Sequence, residues 1–325
     1  AGFRTFMLAT FGEGAFEMPS DRVAAGEMVK MFQTTIKGSG GRYYEGGIGH
    51  FFETMAKTVA EKGGTLLTNT RVVSIDLENG KICGVTAQNG EQYRAPFVIS
   101  NAGIRQTVLK LVGRQHFSDG YVEKIRSLEN NLACVGYRFF TSKPVLKDPM
   151  LVLFPEGCVS KRSAFEAIGR GEKKPENVYL YIGTTSLYPK LAPKGKQVIY
   201  AVVSCLPDPK LDPAPYLDYI DKGVRKLVPE LYQSDCIERT ELVTPAALPL
   251  KDAAVGNDSI FEGQGGESYG IANSLGQAGP DRPKGDTPVE GLYIVGNDTE
   301  GFGLGTHQAV DSGFKIYEKI MKKLG

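Results

Sequence analysis

The chain has 325 residues, with 38 basic and 37 acidic side chains, a formal net charge of +1 and 41% hydrophobic residues. A chain of this length buries a substantial core and usually forms two lobes rather than one. Because no stretch concentrates either sign of charge, the composition argues against nucleic acid as a principal partner, which needs a basic face.

The first half of the sequence predicts two helices followed by a β-meander. A helix over 21–35 has apolar residues at helical spacing, and a second over 49–62 ends at a Gly-Gly pair. Short strands follow over 65–69, 72–77, 82–88 and 93–96, and two Asn-Gly turns supply the positive φ that tight hairpins need. A last apolar strand over 97–100 is expected to be parallel and buried on both faces.

The middle of the chain predicts a mostly antiparallel sheet with helices on one side. The β-rich runs are 132–141, 150–154, 178–183 and 197–205, and the one helix predicted among them spans 213–227. A loop over 256–290 that is rich in glycine and proline precedes the final elements. Such a loop inside a compact domain is more often functional than idle.

The most informative feature is the C-terminal glycine-rich turn. A short strand over 292–295 leads through GNDTEGFGLG at 296–305 into a helix over 306–322. A strand that passes through glycines into a helix brings backbone close to a ligand and points the unpaired N–H groups of the helix at it. Alone this pattern is weak, since many such units carry glycines for packing only.

Several segments together carry a family resemblance. They are YYEGGIGHF at 43–51, GGTLLTNTRVVSI at 63–75, APFVISNA at 95–102, YPKLAPKGK at 188–196, LGQAGPDRP at 275–283 and the C-terminal turn and helix. In this order they resemble the phytoene desaturase and carotenoid isomerase family of FAD-dependent oxidoreductases, a branch of the amine-oxidase-like flavoproteins. The resemblance implies an α/β (α+β) fold with a partial FAD-binding lobe over 41–112 and 256–325. The substrate lobe is then formed by 1–40 and 113–255.

One feature departs from that family. Its members open with G-x-G-x-x-G, which holds the FAD pyrophosphate at a helix N-terminus, and this hexapeptide is absent from the sequence. We therefore expect the chain to be N-terminally truncated and inactive as a fragment.

The resemblance also implies the cofactor site. Gly296, Asn297 and Asp298 would approach the FAD pyrophosphate and ribityl chain, while Gly305 and the N–H groups at 306 and 307 would face the flavin O2/N1 edge. For Asp298 the alternative is an ordinary turn or capping residue.

Three further residues have open alternatives, and a fourth, His307, is the candidate for chemistry. Thr306 is a cofactor contact or a plain N-cap. The backbone of Val72 meets the adenine by resemblance, whereas a valine at a strand start is usually core. His307 is the single candidate for acid–base work. Arg282 lies near the cofactor or closes a surface salt bridge.

The function implied by the resemblance is FAD-dependent desaturation, saturation or isomerisation of C–C bonds in a hydrophobic, isoprenoid or carotenoid-like substrate. The alternatives are an amine-oxidase-type flavoprotein and a non-catalytic prenyl-binding carrier. No metal site is predicted, because the five cysteines lack C-x-x-C spacing and the three histidines lie in distant segments. The default location is cytoplasmic, with peripheral contact to a membrane as a route for an apolar substrate.

Overall fold

The structure is a computed structural model that describes residues 12–38, 44–155, 158, 161–188, 190–246 and 270–325. The start of the segment predicted over 1–40 and the first part of the 256–290 loop lie outside the described residues. The helices are α1 Ala25–Lys37, α2 Gly47–Glu61, α3 Asp119–Arg126, α4 Arg162–Gly169, α5 Ala214–Leu227 and α6 Thr306–Leu324. The strands are β1 Val72–Glu78, β2 Lys81–Ala87, β3 Gln92–Arg94, β4 Val98–Ser100, β5 Ala133–Thr141, β6 Met150–Leu153, β7 Leu180–Gly183, β8 Gln197–Cys205, β9 Ile237–Val243 and β10 Leu292–Ile294.

Five strands form the predicted antiparallel sheet, in the order β6-β7-β8-β5-β9. The mixed α/β class is confirmed. Helix α5 packs closely on this sheet, since a Cβ at Gly223 would lie 2.5 Å from Leu180 Cδ2. Edge strand β9 was not predicted, because its charged residues at 238, 239 and 241 interrupt the apolar signal. Helices α3 and α4 were not predicted either, nor was the helical stretch that consists of Ile104–Gln106, the π-helix Thr107–Gly113 and the 3-10 turn Arg114–His116.

The predicted meander forms a three-stranded sheet, β1-β2-β3, but without its first strand. The strand predicted over 65–69 is wrong. Leu66 and Leu67 there are 58% and 48% exposed, and no strand in the described part of the chain pairs with them. Extended backbone without a ladder partner is not stabilised as a strand.

Strands β4 and β10 form a parallel pair although nearly 200 residues separate them in sequence. The parallel direction of β4 was predicted correctly. Burial on both faces was not, because the Ile99 side chain is 52% exposed. Residues from both sequence segments share one core, which contains Ile75, Ile82, Ile104, Val108, Val112, Phe117, Val122, Ile125, Leu128, Ile271, Val289, Leu292 and Ile294.

One hydrophobic core extends across a predicted lobe boundary. The division placed between 112 and 113 falls inside the core shared by β4 and β10, which continues through α3 to Leu128. The core of the five-stranded sheet starts at Leu132. A third cluster contains Phe16, Met18 and Ala272, with Met31 and Leu304 packed against it. Through this cluster α1 contacts the C-terminal turn.

Candidate functional site: the C-terminal turn and its cavity

The carboxyl ends of the two parallel strands meet at the start of the glycine-rich turn. Gly296 has a φ of +110°, which residues with a Cβ rarely adopt, and its Cα lies close to the Asn101 side chain at the end of β4, so glycine is favoured here. The Gly296 N–H donates to Ser312 Oγ on α6 at 2.8 Å. Ligands of open α/β sheets bind outside this edge of the strands. The predicted residue Gly296 therefore lies at the edge where a cofactor contact is expected.

The side chain of Asp298 is used inside the protein. It is 6% exposed, and its carboxylate accepts hydrogen bonds from Ile104 N at 2.8 Å and from Ile271 N at 3.0 Å. A Cβ on Gly270 would lie 2.3 Å from Asp298 Oδ1, so the backbone at Gly270 is in close contact with the Asp298 carboxylate. The carboxylate is therefore a clamp between three chain segments, and the approach of Asp298 to FAD stays a prediction.

Arg282 lies directly behind the turn. It is 3% exposed and donates to the Asn297 carbonyl from Nε at 3.0 Å and also from Nη2. Burial lowers the pKa of Arg282 to about 10, and the carboxylates of Asp298 and Glu27 oppose that fall, so the guanidinium stays protonated at neutral pH. The surface salt bridge considered for Arg282 is wrong, because the side chain is buried.

Two buried polar residues on α6 hold the turn, and sequence reasoning missed both. Gln308 donates from Nε2 to the carbonyls of Asn297 at 2.9 Å and Thr299 at 3.1 Å, while Ser312 accepts from Gly296. With Ile316 they form the buried face of the helix. Polar residues at i and i+4 on the stripe that otherwise points to the core were the available signal.

The start of α6 is open to the outside. Gly305 precedes the helix with φ +54° and ψ −125°, so glycine rather than Thr306 is the N-cap residue. Thr306 and His307 are both exposed. The His307 N–H already donates to the Leu304 carbonyl at 3.2 Å, whereas the Thr306 N–H has no acceptor among the residues that the structure describes. Of the two predicted backbone donors, the one at 306 remains free for a ligand.

A cavity of 490 Å³ lies beside this helix start, between α1 and the turn. Its apolar walls include Phe16, Met31 and Leu304, and His307 also lines it. Lys30 Nζ lies 4.3 Å from the centroid of the Phe302 ring at the same cavity. The polar side chains Glu27, Lys30, Thr34 and Thr35 come from α1. The cavity thus combines an apolar interior with a helix N-terminus, which suits an apolar ligand next to an anionic or polarisable one.

Val72 lies elsewhere in the fold. It starts β1 of the three-stranded sheet, pairs with Ala87 and is 36% exposed, so it is not a core valine. That sheet joins the parallel pair through the Ile82 N–H, which donates to the Glu290 carbonyl at 3.0 Å. The adenine contact proposed for Val72 depends on the resemblance alone.

Comparison with known proteins decides the family. Residues 4–316 match the family model of flavin-containing amine oxidoreductases. The chain belongs to this family. Membership confirms FAD as the cofactor, and the residues fit it: glycine backbone without Cβ atoms at the strand ends, and a helix start with a free N–H beside an apolar cavity.

Among the relatives of this flavoprotein are two phytoene desaturases (neurosporene-forming). The one from Rhodobacter capsulatus is 25% identical over 321 residues, which cover 95% of this chain and 58% of the relative. The one from Cereibacter sphaeroides is 25% identical over 251 residues, covering 72% of this chain and 42% of the relative. A prolycopene isomerase of an Oncidium hybrid is 30% identical over 161 residues, which are 49% of this chain and 26% of that protein. The chain spans about half the length of the phytoene desaturases that it matches.

Solved structures share the fold of the chain. A crystal structure of an oxidoreductase from Methanosarcina mazei superposes with a TM-score of 0.64 at 17% identity, covering 97% of this chain and 64% of that one. A protein from Pyrococcus furiosus gives 0.62 at 17% identity, with 97% and 63% covered. No helix among the described residues has both the length and the apolar character to cross a membrane.

Proposed function

We propose that this flavoprotein acts on C–C bonds of a hydrophobic, isoprenoid or carotenoid-like substrate, by desaturation, saturation or isomerisation. The observation that carries the proposal is the cavity with apolar walls beside the glycine-rich turn and the start of α6. Relatives named for phytoene desaturation and prolycopene isomerisation support the substrate class.

The residues of the chain have distinct roles in this proposal. The strand-end backbone at Gly296 and the N–H of Thr306 hold the cofactor, and the positive end of α6 stabilises negative charge on its facing edge. Phe16, Met31 and Leu304 exclude water and hold the apolar substrate. FAD, when bound, supplies the hydride acceptor for C–C bond oxidation.

Two further parts of the proposal concern the protein as a whole. The adenine end of the cofactor is held by the β1 side of the fold, where Val72 lies. Contact with a membrane surface gives the apolar substrate access.

The decisive experiment uses the full-length protein. We expect a flavin absorption spectrum, and we expect phytoene in detergent micelles to bleach it under anaerobic conditions with formation of a more unsaturated carotenoid, followed by liquid chromatography. Bleaching by benzylamine instead of phytoene would assign amine oxidation. A colourless protein that binds a prenylated peptide would assign the carrier function, and either result would reject the proposal.

A matched pair of variants on α1 tests the cavity itself. Met31→Trp inserts a large ring into the cavity, and we expect the KM for phytoene to rise about tenfold while the flavin content is unchanged, since one pocket contact carries roughly that much binding. Val29→Trp is the control, because Val29 is 53% exposed on the same helix and does not line the cavity. Equal kinetics in the two variants would remove the cavity from the substrate path.

A further inference from the structure

Arg282 makes a complete set of hydrogen bonds with two separate chain segments. Its Nη2 donates to the Ile271 carbonyl at 3.0 Å, and its Nη1 donates to the Ala272 carbonyl at 3.4 Å and to Asn273 Oδ1 at 2.7 Å. Its Nε and Nη2 also donate to the Asn297 carbonyl. All three nitrogens of the guanidinium are therefore engaged, with 271–273 on one side and the cofactor turn on the other.

The segment 271–273 is hydrogen-bonded to the start of α1, the helix that forms one wall of the cavity. The Asn273 carbonyl accepts the N–H of Ala24, the residue before α1, at 2.9 Å. The Asn273 N–H donates to Met18 Sδ at 3.1 Å, and Met18 belongs to the cluster against which Met31 and Leu304 both pack. A movement of 271–273 therefore moves the wall of the cavity that α1 provides.

The cofactor turn is fixed to the same segment a second time. The Ile271 N–H donates to Asp298 Oδ1 at 3.0 Å, while the Ile271 carbonyl accepts from Arg282. Both backbone polar groups of Ile271 are thus bound, the N–H by Asp298 in the turn and the carbonyl by Arg282. The other wall of the cavity, which spans Phe302 to His307, begins a few residues after Asp298 in the sequence.

We propose that Arg282 is a positioning residue. It holds the cofactor turn and α1, the two walls of the cavity, in a fixed relative position, so that the cofactor site and the substrate site are coupled. The inference rests on the proposed function. It goes beyond that function in assigning the coupling of the two sites to one buried side chain that does not line the cavity.

Arginine is required for this role rather than positive charge alone. The planar guanidinium reaches acceptors in two directions at once, whereas a lysine ammonium is a point charge with three donors on one atom. Replacement by lysine keeps the charge and loses the bridge between the walls. The Arg282→Lys variant therefore separates the two contributions.

The test compares Arg282→Lys with wild-type full-length holoenzyme at a temperature where both are fully folded. We expect the Kd for FAD and the KM for phytoene each to rise about tenfold, as for other residues that couple sites through packed networks. We also expect amide hydrogen exchange to rise in both walls, over 24–37 and over 296–307, because the contact that holds one to the other is lost.

A second buried arginine provides the control. Arg105 is 7% exposed and donates to the carbonyls of Ile125 and Leu128 and to the Asn130 side chain, away from the cavity lining. Arg105→Lys is expected to lower the melting temperature with unchanged Kd and KM, and to raise exchange near 125–131. If Arg282→Lys behaves in the same way, losing stability alone, its role is structural and the proposal is overturned.

Milder variants at Asn273 keep the test decisive if Arg282→Lys does not fold. Asn273→Ala removes one acceptor of Arg282, and Asn273→Asp retains an oxygen at that place. We expect a rise in exchange of both walls in the alanine variant and near-wild-type exchange in the aspartate variant. Exchange that rises in one wall only would overturn the proposal. A protein that binds no FAD would reject the proposed function, yet the exchange data would still decide the role of Arg282.

Discussion

At the scale of single residues, the site depends on buried charges that hold backbone groups. Asp298 accepts two backbone N–H groups, and Arg282 donates to a carbonyl of the turn and to a carbonyl of the segment 271–273. Buried charges persist only when hydrogen bonds satisfy them. Hydrogen bonds within the protein therefore fix the conformation of the turn without a bound ligand.

Asp298→Asn tests the clamp. One oxygen of the new amide becomes an NH₂ group that faces a backbone N–H, so one charge-assisted hydrogen bond is replaced by a repulsion. We expect the free energy of unfolding to fall by about 2–4 kcal/mol in urea titration. Asp281→Asn is the control, because Asp281 is exposed in a 3-10 turn, and it should stay within about 0.5 kcal/mol of wild type. Equal stability of both variants would contradict the clamp.

Glu300 gives the turn a dependence on pH. Burial raises the pKa of Glu300, but the hydrogen bonds from Lys319 and Lys284, both at 2.9 Å, outweigh it and lower the pKa to about 2. Because the pKa of Glu300 in the folded protein lies below its ordinary value of 4.5, the stabilisation is complete above pH 4.5 and is lost as pH falls toward 2.

Glu300→Gln measures this contribution. We expect the free energy of unfolding at pH 7 to fall by at most about 3 kcal/mol. The actual fall should be smaller, because solvent screens the partly exposed ion pairs of Glu300. Between pH 5 and 2 (roughly the interval between the two pKa values) the wild type should lose stability more steeply than the variant. Parallel stability curves for the two proteins over that interval would show that Glu300 titrates normally.

At the scale of elements, α6 holds the turn as well as presenting its N-terminus. Ser312 is 1% exposed, accepts the Gly296 N–H and donates to the Ala309 carbonyl at 2.7 Å. Asp311 accepts the Phe302 N–H at 2.7 Å from the same helix. The helix thus fixes the turn at its first residue and again at Phe302.

Ser312→Ala tests that contact. It leaves the buried Gly296 N–H without an acceptor, and we expect a loss of about 1–3 kcal/mol in the free energy of unfolding. Ser127→Ala is the matched control, because the Ser127 hydroxyl donates only to the Lys124 carbonyl at an exposed helix end. A loss no larger than that of the control would show that the turn finds another acceptor.

The elements with strong periodicity were predictable, and those defined by partners far away in sequence were not. Strand β8 and helix α6 start where the apolar pattern starts. The strand predicted over 65–69 failed because pairing, not local pattern, forms a strand, and β9 was missed because its charges suit an exposed edge. The role of Asp298 was not visible, since its partners at 104 and 271 are distant in the sequence.

At the scale of the whole molecule, the fold leaves apolar surface uncovered among the described residues. Ile99 lies in a parallel strand, which is normally buried on both faces, and is 52% exposed. One face of α6 carries exposed Val310, Phe314, Tyr317, Met321 and Leu324. Contiguous apolar surface of this kind marks an interaction site or an association hazard.

The α6 stripe therefore predicts that the chain associates with itself in dilute buffer. Replacing Phe314 and Met321, which are 63% and 46% exposed, by glutamine should remove the attraction at little cost, within about 0.5 kcal/mol of the wild-type free energy of unfolding. Sedimentation velocity at increasing concentration is the measurement, with a weaker rise in sedimentation coefficient for the double variant.

Ile316→Gln is the control on the buried face of the same helix, where a 1% exposed side chain packs beside Gly285. That variant should lose several kcal/mol, about 2–5 by the usual cost of removing a buried aliphatic group. If the double variant were destabilised as strongly as the control, the stripe would be part of the core rather than a free surface.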